Sequence, residues 1–98
     1  MKKSYVYFMS NIRNTVIYIG VTSNLQKRVY QHKIGLYKGF TSKYNCKKLV
    51  YFEEFSDIRQ AIAREKKLKA GNRKHKEYLI DVINPKREDL AKDWRFDI

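Results

Sequence analysis

The sequence predicts a small α+β domain, and three observations carry that prediction. Two runs rich in β-branched and aromatic residues, "SYVYFM" (Ser4 to Met9) and "TVIYIG" (Thr15 to Gly20), stand one loop apart, as the arms of an antiparallel hairpin do. A third such run, "KKLVYFEEF", follows later in the chain. Between and after these runs, apolar residues recur at helical spacing in three segments. With 98 residues, the expectation is one domain over 1–98, its core about 4–85 and a tail at 86–98. A chain of this size buries only about 60 to 65% of its unfolded surface, enough for one small core.

Taken in order, the polar stretch Ser10 to Asn14 has the length of a hairpin loop, and Gly20 ends the second strand. "TSN" then supplies N-cap candidates for a helix over about Asn24 to Leu36, with Leu25, Val29, His32 and Leu36 on one face. Tyr37 to Cys46 is expected as a basic, aromatic loop broken by Gly39. After the third strand, Asp57 with Gln60 three positions on resembles a capping box. The helix it starts should place Ile58, Ala61, Ile62 and Leu68 inward and stop near Gly71. A further helix, with Tyr78, Leu79, Val82 and Ile83 inward, should end at Asn84, because Pro85 disfavours helical geometry in the residue before it. The last residues show no period, and Leu90, Trp94 and Phe96 are the candidates for pinning them to the domain.

Charge is the most informative bulk property. There are 22 Lys and Arg against 10 Asp and Glu, a net charge of +12, and the first acidic residue is Glu53. Residues 1–52 carry ten basic side chains and no carboxylate. A surface built only for solubility mixes its signs, so a polyanion, nucleic acid first of all, is the expected partner. Cys46 is the one cysteine, which excludes an intramolecular disulfide and a thiolate zinc cluster. No run approaches the roughly 20 apolar residues of a membrane span, and the start lacks the pattern of a signal peptide, so no membrane partner and a cytoplasmic location are expected.

Three groups do not suit a packing role. On a helical wheel Glu65 falls between Ala61 and Ile62, aimed where the core should be. A carboxylate there needs a partner: an arginine in an ion pair, or a divalent cation such as Mg²⁺ that keeps most of its waters. His32 lies on the apolar face of the first helix with Arg28 at its edge, either as a hydrogen-bonded core residue or as a catalyst. Tyr5, Tyr7 and Tyr18 all lie on the hairpin; period two puts Tyr5 and Tyr7 on one face, where pairing can bring Tyr18 opposite them.

These residues, in this order, resemble the GIY-YIG nuclease superfamily, and within it the small stand-alone bacterial members. The first motif corresponds to Tyr5-Val6-Tyr7 and the second to Tyr18-Ile19-Gly20. Arg28, His32, Glu65 in "AREKKLK" and Asn84 in "INP" match the residues that follow. The likeness runs from Ser4 to Leu90; it departs at Tyr5, where the family has glycine, and at Val21, where some DNA-repair members have lysine. It implies a small antiparallel three-stranded sheet flanked by about three helices, with the two tyrosines, the arginine and the glutamate lining one shallow groove.

The resemblance further implies a Mg²⁺- or Mn²⁺-dependent endonuclease acting on DNA, RNA not being excluded, in repair or recombination. Without an appended recognition domain it should be structure-selective or weakly sequence-specific. Its catalytic residues would be Tyr7, Tyr18, Arg28, His32 and Glu65, and Glu65 would be the metal ligand. Tyr18 or Tyr7 would activate or orient the attacking water, and His32 would assist proton transfer or orient a tyrosine. Arg28 would stabilise charge on the phosphate. Lys43, Arg64, Lys69 and Asn84 would bind the nucleic acid. A monomer is expected, with room for a protein partner that supplies targeting. The rival reading is a module that binds nucleic acid in the same groove without cutting it; a protein-binding scaffold would leave the acid-free first half unexplained.

Overall fold

A computed structural model describes residues 2–36 and 39–96. The run Ser4–Ser10 (β1) is apolar on both faces because it is the middle strand: Ile17–Thr22 (β2) pairs on one side of it and Lys48–Phe55 (β3) on the other, both antiparallel. A central strand covered on both faces buries both sets of its side chains. Val6 and Phe8 pack with Ile19, Val50 and Tyr51 on one face, whereas Tyr7 and Met9 pack with Leu25, Val29 and Leu49 on the other. The architecture is thus a three-stranded sheet between two helical layers, as the sequence predicts.

Leu25–Lys33 (α1) covers the Tyr7 face through Leu25, Val29 and His32. Its N-cap is Asn24, which accepts from the Lys27 N–H at 3.1 Å. It ends three residues short of Leu36. Gly35 takes a left-handed φ of 71°, and its N–H and that of Leu36 turn back to the carbonyls of His32 and Gln31, closing a Schellman motif that leaves Leu36 exposed. The segment expected as a loop contains one helical turn, Phe40–Lys43 (α2), while Tyr37 and Lys38 lie outside the described residues.

Ile58–Ala70 (α3) and Arg73–Ile83 (α4) cover the opposite face through Ala61, Leu68 and Ile80. Asp57 caps α3 by accepting from the Arg59 N–H, and its carboxylate also receives the Arg59 guanidinium. The expected inward faces need correction. Ile58 and Ile62 are not buried but keep 41% and 38% of their surface exposed, and α4 buries Ile80 and part of Leu79 while Tyr78, Val82 and Ile83 face outward. α4 is apolar around much of its circumference, so periodicity offers more than one stripe and only docking on the sheet chooses between them.

Asn84 is the lock of this layer. A bulge opposite Phe8 and Met9 leaves Val50 out of the pairing with β1, and the Asn84 amide donates to the Val50 carbonyl at 3.0 Å. The same side chain donates to the Glu88 carbonyl at 2.8 Å and accepts from the Glu88 N–H at 3.0 Å. The tail then returns to the outer edge of β3, where the Leu90 N–H reaches the Leu49 carbonyl and Asp89 accepts from the Leu49 N–H. Leu90, Trp94 and Phe96 pack on the α1 side of the core, as expected of them; Asp97 and Ile98 lie outside the described residues.

Candidate functional site

The strand-to-helix junction builds the site. Tyr7 stands directly across from Gly20, and a Cβ at position 20 would come within 2.4 Å of the Tyr7 hydroxyl oxygen and 2.5 Å of its Cζ. Glycine is therefore what lets the Tyr7 ring lie flat across β2. So placed, the fully buried Tyr7 hydroxyl shares a hydrogen bond of 2.9 Å with Nε2 of His32, itself 4% exposed. Tyr18 stands opposite Met9, with Tyr7 on its diagonal. Its ring lies 6.2 Å from that of Tyr7 and 5.3 Å from the imidazole, so three rings from two strands and one helix form a single cluster.

Burial, with the nearby Arg28 charge adding to it, lowers the His32 pKa to about 4. At neutral pH the imidazole is therefore uncharged, with one nitrogen able to accept a proton and the other donating. Arg28 lies one turn before His32 on α1, half-buried. Four of the five residues expected to be catalytic thus share one side of the sheet. They divide by exposure: Tyr7 and His32 are sealed, while Tyr18 and Arg28 are only half-buried and reach the surface.

Glu65 belongs to α3, on the other layer. Its carboxylate, 16% exposed, sits 3.5 Å from the Lys69 ammonium, so the partner that its position demands is a lysine rather than an arginine. Lys69 also lines a cavity of about 310 Å³ along the edge of β2, together with Lys76, Ile17, Tyr18 and Ile19. That edge is where the α3 layer and the tyrosine cluster come together. Among the described residues no three His, Cys, Asp or Glu side chains gather as a metal cage. The donor set at Glu65 is a single carboxylate, which fits Mg²⁺ or Mn²⁺ only where substrate phosphate and water complete the shell.

The expected nucleic-acid ligands fare differently. Lys69 and Lys43 are exposed cations, Lys43 with its ammonium 5.5 Å from the Tyr44 ring centre. Arg64 instead meets Glu53 through two hydrogen bonds of 2.9 and 3.0 Å, and Tyr51 donates to the same carboxylate. Burial pushes Glu53 up, but the hydrogen bonds from Arg64 and Tyr51 and the Arg64 charge outweigh it and hold the carboxyl below its usual range. Burial, with Glu53 alongside, likewise pushes Tyr51 up to about 12. Arg64 is thereby a strut between α3 and β3. Asn84 is buried and its amide is engaged within the chain, so its place is in holding the bulge rather than on a ligand.

The model of the GIY-YIG catalytic domain matches residues 3–78, a span that takes in both tyrosines, Arg28, His32 and Glu65. The chain belongs to the GIY-YIG family. It is 36% identical over 90 residues to a UPF0213 protein of Clostridium perfringens, covering 92% of this chain and 96% of that one. A UPF0213 protein of Syntrophus aciditrophicus is 34% identical over 88 residues, covering 89% and 99%. The solution NMR structure of the UPF0213 protein BH0048 from Bacillus halodurans superposes with a TM-score of 0.56 at 23% identity, over 93% of this chain and 97% of that one, a likeness of fold. The GIY-YIG family is a nuclease superfamily, so the coarse class of this domain is that of a nuclease.

Sequence reasoning missed Lys27, Lys2 and Lys76, which line the cavities beside Arg28 and Tyr18. Their only signal in the sequence is the acid-free first half and the lysine run after Glu65; which lysines converge on a cavity depends on the packing of α1 and α4.

Proposed function

We propose that this GIY-YIG domain hydrolyses phosphodiester bonds in DNA with Mg²⁺, selecting substrates by structure more than by sequence. The single observation that carries the reading is the Tyr7–His32–Tyr18 cluster with Arg28 beside it, in a half of the chain that has no carboxylate before Glu53. Tyr18 is the phenol of the cluster that reaches the surface, and it orients the attacking water at the phosphorus. Tyr7 and His32 are positioning residues: their hydrogen bond fixes the rings on which Tyr18 rests, and the neutral imidazole adds no charge there. Arg28 offers its guanidinium to the phosphate oxygens, whose negative charge grows in the transition state. Glu65 would hold the divalent ion, which when bound polarises the phosphoryl group and stabilises the leaving oxygen. Lys69, released from Glu65 in that state, would turn toward the Tyr18 cavity that it lines and meet the DNA backbone there.

The Glu65–Lys69 ion pair also favours a second reading, in which the groove docks nucleic acid without cutting it. Incubating the protein with branched, nicked, duplex and single-stranded DNA, and with RNA, in Mg²⁺, Mn²⁺ or chelator separates the two. Metal-dependent cleavage that is lost in Tyr18→Phe and in Arg28→Ala, with binding retained, supports the nuclease. Binding without cleavage of any substrate in either metal would overturn it in favour of the docking module.

A further inference from the structure

A cavity of about 390 Å³ opens where β2 hands over to α1, on the side of Arg28. Among the described residues three cations line it: Lys2 from the start of the chain, Lys27 and Arg28 from α1. Ser23 and Gln31 add polar side chains, while Thr22 and Asn24 are engaged in shaping the turn, Thr22 by accepting from the Asn24 N–H at 3.0 Å and Asn24 by capping Lys27. No carboxylate and no aromatic ring of the described residues lines this space. The larger basic cleft of about 590 Å³ near Lys33 differs in both respects, since Asp89 lines it and is already paired with Lys33, and Tyr44 forms part of its wall.

Three cations lining one cavity give it a positive potential that favours an anion there. Among the described residues a nucleobase finds no stacking surface there, whereas a phosphodiester finds donors on several sides. We propose that this cavity seats the backbone phosphate next to the one being cleaved. Arg28 lines the cavity and also stands beside the tyrosine and histidine cluster, so a strand whose reacting phosphate lies at Tyr18 would carry its neighbouring phosphate between Lys27 and Lys2. Such a seat reads backbone and carries no base information, which agrees with weak sequence preference. The inference rests on the nucleic-acid reading above and deepens it by assigning two lysines to substrate positioning.

The test measures binding of a short DNA duplex across a range of salt for the unmodified protein and for Lys27→Gln, Lys2→Gln and Lys86→Gln, the last an exposed lysine beyond α4. Lys27→Gln and Lys2→Gln should each lower the log–log salt slope by about 0.9, the value for one phosphate neutralised, with the Lys86→Gln slope and all melting temperatures unchanged. Unaltered slopes in both cavity variants, beside normal salt-dependent binding by the unmodified protein, would overturn the seat and leave the nucleic-acid reading standing. An equal drop in Lys86→Gln would likewise overturn it, by showing a diffuse field instead of a site. Absence of salt-dependent binding by the unmodified protein would overturn the nucleic-acid reading itself, and the seat with it.

Discussion

Replacing Gly20 by alanine isolates the close approach on which the whole cluster rests. Gly20 has no left-handed φ, so alanine meets no backbone strain and the perturbation is purely one of space. The added methyl would lie 2.4 Å from the Tyr7 hydroxyl oxygen, 2.5 Å from Cζ and 2.8 Å from Cε1, so the ring has to leave as a unit. Tyr7 is fully buried, with His32 on one side and the core on the other, and has nowhere soft to go. Overpacking of this kind costs about 1–3 kcal/mol. Breaking the hydrogen bond and stranding the buried His32 nitrogen adds about 1–3 kcal/mol. The sum, about 2–6 kcal/mol, corresponds to a fall in melting temperature of roughly 10 °C or more for a domain of this size. Thermal and denaturant unfolding of Gly20→Ala, Tyr7→Ala and the double variant measure it. The methyl should cost much less once the ring is gone, leaving a coupling of about 1 kcal/mol or more. An alanine variant that melts like the unmodified protein, or that loses equal stability with and without Tyr7, would refute the steric reasoning.

Three further outcomes rest on the same geometry. His32 is neutral in the folded state down to about pH 4 but titrates near 6.5 when unfolded, so the unfolded chain takes up the proton first. Stability should therefore fall between about pH 6.5 and 4, by on the order of 3 kcal/mol at most, and the loss should be smaller in His32→Gln; an imidazole NMR titration centred near 6.5 in the folded protein would contradict this. Asn84→Ala removes three internal hydrogen bonds at the Val50 bulge and the tail, and should cost about 2–4 kcal/mol of unfolding free energy while leaving the salt slope of DNA binding unchanged; a normal melting temperature with weakened DNA binding would return Asn84 to the interface. Glu65→Gln breaks only a pair whose lysine is half-exposed, worth about 0.5 kcal/mol or less, so it should melt normally, bind DNA and fail to cut, and Mg²⁺ should raise the melting temperature of the unmodified protein alone; cleavage at the unmodified rate would remove Glu65 from the metal site.

The strands, the cap Asp57, the short set of cap candidates that contains Asn24, the stop before Pro85 and the one-sided charge are local properties, and local rules find them. Enrichment in β-branched and aromatic residues marks β1, β2 and β3 whatever they pair with. Asn24 and Asp57 satisfy the first amides of their helices from within a few residues. The Tyr-Ile-Gly junction, Arg28, His32 and Glu65 also stand out in the sequence, as polar or glycine residues on otherwise apolar faces, although Gly20 and His32 prove to serve the packing of Tyr7 as well.

Tertiary packing decided the rest. Periodicity ranks the apolar faces of α4 but cannot weigh them against the sheet, which is why Ile80 is buried while Val82 and Ile83 are not. The roles of Arg64 and Asn84 turn on partners 11 and 34 residues away along the chain, Glu53 and the Val50 carbonyl, and a charged or amide side chain looks the same in sequence whether it meets a ligand or another strand. The division of labour between Tyr7 and Tyr18 is also a matter of depth. Alternation along the strands and hairpin pairing allow both tyrosines on one face, and only α1, laid across the central strand, buries the first and leaves the second within reach of a substrate.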